Sequence, residues 1–144
     1  MKVQDFMQKS VFTVAPDDLI DRVFFLLHYE KIRHLPVVDD KGGIIGIVSD
    51  RDLYKALGPK SRSRAVQKNA PQETQLHVIP RKVRHIMRRG VFTVTPNEPA
   101  AKAATMMARK KIGALPVVEK DKLVGIVTAT DILLEFARIV SNMD

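Results

Sequence analysis

The chain has 144 residues, enough for one ordinary domain or for two halves sharing a core. Hydrophobic residues make up 45% and charged residues 28%, the balance of a folded soluble protein, and no apolar run approaches a membrane span. The absence of cysteine excludes disulfides, thiolate metal sites and cysteine nucleophiles together.

The opening Met1-Lys2-Val3-Gln4-Asp5 lacks a charged region leading into an apolar stretch, so it does not read as a secretory signal, and a cytoplasmic location is expected. The formal net charge of +8 favours anionic partners: nucleotides, nucleic acid or an acidic protein surface. Much of the excess lies between Lys55 and Arg89, in Lys60, Arg62, Arg64, Lys68, Arg81, Lys82, Arg84, Arg88 and Arg89. A groove for single-stranded nucleic acid interleaves such charges with aromatic rings, and this span has Tyr54 near its start and none within. It reads as a solvated linker with flanking surface, which leaves nucleic acid as the weaker alternative.

In chain order, the run Val11 to Val14 predicts a short strand closed by Pro16. Asp17 then offers a helix cap, and Ile20, Val23, Phe24 and Leu27 fall at the spacing of one buried stripe. Leu35–Val38 and Ile44–Val48 predict a hairpin around Asp39-Asp40-Lys41-Gly42-Gly43, followed by a helix from near Asp50. Gly58 to Pro80, rich in Ser, Lys, Gln and Pro, reads as an irregular and partly mobile connection.

The same pattern then returns. Val91-Phe92-Thr93-Val94-Thr95-Pro96 repeats Val11-Phe12-Thr13-Val14-Ala15-Pro16 at an offset of 80, as do Lys111-Ile112 and Leu115-Pro116-Val117-Val118 for Lys31-Ile32 and Leu35-Pro36-Val37-Val38. Gly125-Ile126-Val127-Thr128 matches Gly46-Ile47-Val48-Ser49 at 79, because the second turn is one residue shorter. Asn97 is the second candidate cap, with Pro99 in the first turn, and Ala100, Ala103, Ala104 and Met107 keep the helical phase. A final helix starts near Ala129.

The fold class is therefore α/β (α+β): two β-α-β-β-α copies, residues 1–57 and 81–144, joined by 58–80 and packed pseudo-symmetrically through their sheets. One copy alone has a marginal core, and pairing relieves that. In the last helix, Ile132, Leu133, Leu134, Phe136, Ala137, Ile139 and Val140 cover more than one face, a surplus that points to a partner surface and a homodimer.

A strand ending in Thr-Val-x-Pro, the Leu-Pro-Val-Val strand and Gly-Ile-Val-[Ser/Thr]-x-x-Asp, in this order and twice over, resemble the CBS domain, named after the regulatory region of cystathionine β-synthase. The resemblance covers both copies, and so implies a stand-alone CBS pair. Similar modules bind AMP, ADP, ATP or S-adenosylmethionine in two clefts and act as sensors on other proteins. The implied site residues are Asp52 and Asp131, as acceptors for a ribose diol, with Ser49, Arg51, Thr128 and Thr130 near the phosphate. Val11, Phe12, Val91 and Phe92 are the implied adenine-slot positions. In similar proteins each cleft joins the motif of one copy to strand starts of the other. Arg33 and His34 would then serve the Asp131 cleft and Gly113 and Ala114 the Asp52 cleft, leaving the Asp131 cleft better furnished for phosphates. An adenine nucleotide would be a regulatory ligand rather than a required cofactor, and the regulated protein is not specified.

Other motifs read more simply. Ser49-x-x-Asp52 and Thr128-x-x-Asp131 also fit capping boxes. Among the four histidines only His34 borders a site position; His28, His77 and His85 have no ligand spacing. Gly42-Gly43-x-x-Gly46 belongs to a hairpin turn, and Met106 and Met107 to the core. With no serine elbow, metal cluster or paired carboxylates in an apolar pocket, nothing points to an enzyme.

Overall fold

In a computed structural model the described residues are 1–57 and 81–144. The expected linker and its four central cations, Lys60, Arg62, Arg64 and Lys68, lie outside them. Elements follow the expected order: α1 (Ile20–Tyr29), β1 (His34–Val38), β2 (Ile44–Ser49), α2 (50–57), α3 (Ala100–Lys110), β3 (Ala114–Glu119), β4 (Lys122–Thr128) and α4 (Ala129–Ser141). Each hairpin is its own sheet, β1 with β2 and β3 with β4.

The predicted strand at Val11–Val14 shrinks to a single position. Val14 bridges Val37 in parallel, its N–H donating to the Pro36 carbonyl at 3.1 Å and its carbonyl accepting from Val38 at 3.0 Å. Val94 does the same with Pro116 and Val118, at 3.1 and 2.8 Å. Pro16 and Pro96 follow two residues later; a residue without an N–H, leading into a turn, stops the ladder there. The helix caps also differ from expectation. Leu19 and Pro99 are the N-cap residues, neither with a side-chain cap bond, so Pro99 precedes α3 and does not sit inside it. Asp17 instead receives Arg84 Nε at 2.8 Å, a bond that holds its carboxyl below the usual carboxylate range.

The chain forms two compact units, and they cross the sequence boundaries of the copies. One comprises Phe12–Lys41 and Ile45–Val91; the other comprises Met1–Val11, Gly42–Ile44 and Phe92–Asp144. Residues ahead of each Val-Phe-Thr-Val block thus pack with the opposite copy. The reason is in the backbone. Arg88 and Ile47 exchange N–H···O bonds of 2.9 and 3.1 Å, extending the β1–β2 sheet at its β2 edge, and Gln8 and Ile126 exchange bonds of 2.9 and 3.0 Å beside β4. Pro116 faces Ile126 across the β3–β4 hairpin. Because Ile126 turns its N–H and carbonyl outward to Gln8, the missing proline N–H leaves no donor or acceptor unmatched.

Each unit has a core completed by its incoming segment. Val83 joins Val14, Ile20, Val23, Leu35, Val37, Val48 and Leu53, with Phe24 and Leu27 packed against them as the helical spacing predicts. Val3 joins Val94, Ala103, Met107, Leu115, Val117 and Val127, with Met106 packed alongside. Burying each valine fully stabilises its unit by roughly 1.5–3 kcal/mol. The repeated glycines accommodate the same segments. A Cβ on Gly125 would lie 2.8 Å from Met7 Sδ and 2.9 Å from the Gln8 carbonyl oxygen; on Gly46 it would lie 2.6 Å from Met87 Sδ and 3.1 Å from the Arg88 oxygen. Only a residue without a side chain lets the incoming strand approach so closely.

Candidate functional site

In both copies the second hairpin strand runs straight into a helix, and the turn between them is a reciprocal cap. Thr128 is the N-cap of α4: its Oγ1 accepts from the Asp131 N–H at 3.2 Å, while Asp131 Oδ2 accepts from the Thr128 N–H and Oγ1 at 2.8 and 2.9 Å. Ser49 and Asp52 repeat the arrangement at α2, with Asp52 Oδ2 accepting from the Ser49 N–H and Oγ at 2.9 and 3.0 Å and the Asp52 N–H donating back at 3.2 Å. The capping reading of Ser/Thr-x-x-Asp is therefore correct in both copies. Each carboxylate has one oxygen committed to its cap, and each sits where free helical N–H groups favour an anion.

The other face of each carboxylate meets a residue not among the expected site positions: Arg88, read from the sequence as part of a solvated basic stretch, and Gln8. Arg88 Nε donates to Asp52 Oδ1 at 3.2 Å. Gln8 Nε2 donates to Asp131 Oδ1 and Oδ2 at 3.0 and 3.1 Å. Gln8 and Arg88 are counterparts at the offset of 80, each following a methionine, Met7 or Met87. That the repeat reaches back through Lys2-Val3 and Lys82-Val83 was the available signal. It is easily missed, because each segment acts in the copy it does not precede.

The remaining candidates divide between the units. In the first-copy unit Arg33 Nε lies 3.5 Å from Asp50 Oδ2, and the Asp50 N–H donates to the Arg33 carbonyl at 3.0 Å. His34, half-buried, has its pKa pushed down by loss of solvent, opposed by Asp50 and Asp52 and reinforced by Arg33 and Arg51. Arg51 and Phe12 are exposed, and Val91 is half-buried. In the second-copy unit the Ala129 N–H donates to the Gly113 carbonyl at 2.9 Å, the same closure that Arg33 provides in the first. Ala114 is buried, Thr130 is exposed and Val11 is half-buried. Phe92 is exposed and carries Lys110 Nζ at 4.2 Å from its ring centroid.

The basic stretch is less free than its composition implies. Arg81 donates to the Ala56 carbonyl at 3.2 Å, Lys82 and Arg84 hold Asp17, and Arg88 holds Asp52. Among the described residues no cluster of three His, Asp or Glu side chains fits a metal, and no helix is long and apolar enough to cross a membrane.

Comparison with known proteins agrees with this fold. The CBS domain model matches residues 3–59 and 83–138, and the chain belongs to the CBS-domain family. A CBS domain-containing protein of Dictyostelium discoideum is 35% identical over 136 residues, 91% of this chain and 88% of that protein. A homoserine O-acetyltransferase of Methanococcoides burtonii is 36% identical over 131 residues, but the match spans 90% of this chain and only 23% of the enzyme. Among solved structures, the CBS domain pair of protein MJ0100 in complex with 5′-methylthioadenosine and S-adenosyl-L-methionine superposes with a TM-score of 0.78 at 29% identity, covering 95% and 96% of the two chains. CBSX2 in complex with AMP gives 0.76 at 28% identity, covering 96% and 97%. The mixed α/β architecture with two small hairpin sheets is that of a CBS pair.

Proposed function

We propose that this chain is a regulatory module that binds an adenosine nucleotide, AMP, ADP, ATP or S-adenosylmethionine, and passes the signal to a partner protein. The observation that carries the proposal is the pair of capped carboxylates, Asp52 and Asp131, each presented at a helix N-terminus with Oδ1 outside the cap. A carboxylate oxygen accepts from ribose hydroxyls, and the adjacent helix terminus favours a phosphate. Adenosyl ligands in MJ0100 and CBSX2 support the ligand class. The lack of cysteine suits a reducing cytoplasm.

Calorimetric titration with AMP, ADP, ATP, S-adenosylmethionine and 5′-methylthioadenosine tests the reading. At least one should bind, and Asp52→Ala and Asp131→Ala should each remove a site. Silence across the panel, with salt-sensitive binding to RNA or DNA, would favour the alternative of an interaction scaffold or nucleic-acid-associated protein.

A homodimer through α4 belongs to the same proposal. No residue of α4 is buried in its own unit, and Leu133, Leu134 and Phe136 are 66%, 66% and 64% exposed. Three large apolar side chains so exposed on one helix favour a covering partner. Light scattering at micromolar concentration should give twice the chain mass; a monomer counts against it.

A further inference from the structure

We infer that Arg88 is a built-in competitor for the ligand diol at Asp52, and that the two copies therefore bind adenosine ligands with unequal affinity, the Asp131 copy more tightly. The inference rests on the proposed function and extends it to the regulation of the site. A carboxylate has about four lone-pair positions, two on each oxygen. At Asp52 the cap bonds from the Ser49 N–H and Oγ occupy both positions of Oδ2, and Arg88 Nε takes one of Oδ1. One position remains, and a vicinal diol donates two hydrogen bonds. The diol must displace Arg88.

At Asp131 the outward Oδ1 likewise accepts one bond, but from a different group. Thr128 fills Oδ2, and a single Gln8 Nε2 is shared between the two oxygens at 3.0 and 3.1 Å. Gln8 is neutral, and a hydrogen bond from an ionised donor to a carboxylate is roughly twice as strong as one from a neutral amide. The Asp52 side chain is also only 9% exposed, which limits the water available to replace a departing cation. Ligand binding at Asp52 therefore gives up an ion pair, and at Asp131 an amide contact. The Arg88 side chain is itself 64% exposed, and its backbone bonds to Ile47 do not depend on the guanidinium, so it can be exchanged without dismantling the sheet.

The test uses adenosine and AMP as probes in calorimetry. Asp131→Ala isolates the Asp52 site and Asp52→Ala isolates the Asp131 site. In the Asp131→Ala background, Arg88→Gln should tighten adenosine binding about fivefold. In the Asp52→Ala background, Gln8→Arg should weaken it by a similar factor. High salt should tighten adenosine binding at the Asp52 site of the parent, because the probe is neutral and only the protein ion pair is screened. An unchanged or weaker adenosine affinity in Arg88→Gln overturns the inference while leaving the proposed function standing. Weaker AMP with unchanged adenosine assigns Arg88 to the phosphate and also overturns it. If adenosine binds neither the parent nor any variant, this inference falls, and the proposed function falls with it only if AMP, ADP, ATP, S-adenosylmethionine and 5′-methylthioadenosine are silent as well. Thermal unfolding of each variant within a few degrees of its parent keeps the comparison to binding.

Discussion

The two copies share a backbone plan and differ in what fills it. In the first, α1 packs Ile20, Val23, Phe24 and Leu27 into its core; in the second, α3 packs Ala103 and Met107, with Met106 alongside, while Ala100 and Ala104 of the expected stripe are only half-buried. The hairpin of the first closes through residues 39–43, with Gly42 at φ 83°. That of the second closes in two residues, Lys120 and Asp121, both at positive φ as a type I′ turn requires, with a bulge between Val117 and Val118. The start of β1 is His34 where β3 has Ala114. Capping geometry is constant to about 0.1 Å, whereas the groups facing the capped carboxylates change from a cation to an amide. Duplication has kept the device that builds the helix terminus and varied its surroundings.

The largest expected effect tests which segment belongs to which core. Val83→Asp should destabilise the first-copy unit and Val3→Asp the second, each by about 3–5 kcal/mol, because both valines are fully buried and an unpaired carboxylate there has no partner. Hydrogen exchange should show lost protection in residues 12–57 for Val83→Asp and in residues 92–141 for Val3→Asp. The opposite pattern would break the exchange of segments described above.

A smaller effect should separate the two glycines. Gly125→Ala forces a Cβ against backbone oxygen at 2.9 Å, which cannot move without shifting the strand, while Gly46→Ala meets backbone only at 3.1 Å and a flexible methionine end at 2.6 Å. Crowding of this kind costs about 1–3 kcal/mol, with Gly125 at the upper end, and urea midpoints for the two variants should rank in that order.

The smallest effect is one of pH. The folded-state pKa of His34 lies below its ordinary value of 6.5, so between the two the unfolded chain binds more protons than the folded one. The stability contribution is present above pH 6.5 and is lost as pH falls through the depressed value. Urea midpoints should drop as pH falls from 7.5 toward 5 by more in the parent than in His34→Gln, and the loss should fall on the copy that has no alanine there. Equal slopes would remove His34 from the comparison.

Much of this was legible in the primary structure, for reasons that can be named. Ile20, Val23 and Leu35 announce themselves through helical and strand periodicity, and Ser49-x-x-Asp52 through a local bond that needs no distant partner. Val11–Val14 misled because β-branched composition cannot report how many neighbours a strand finds; only Val14 finds one. Asp17 misled in the same way, since Arg84, 67 residues away, outcompetes the helix terminus for it. Gln8 stayed hidden, and Arg88 passed for a solvated surface cation, because their importance depends on which edge each segment joins, a long-range choice that no local pattern encodes.

That choice also sets an order of assembly. A ribosome delivers residues 12–57 well before residues 81–91, so the β2 edge at Ile47 must wait for Arg88 to be made, while residues 1–11 emerge first and wait for β4. Neither copy is a contiguous cassette: a gene cut between residues 57 and 81 would yield two fragments, each carrying the edge strand and the buried valine that the other needs.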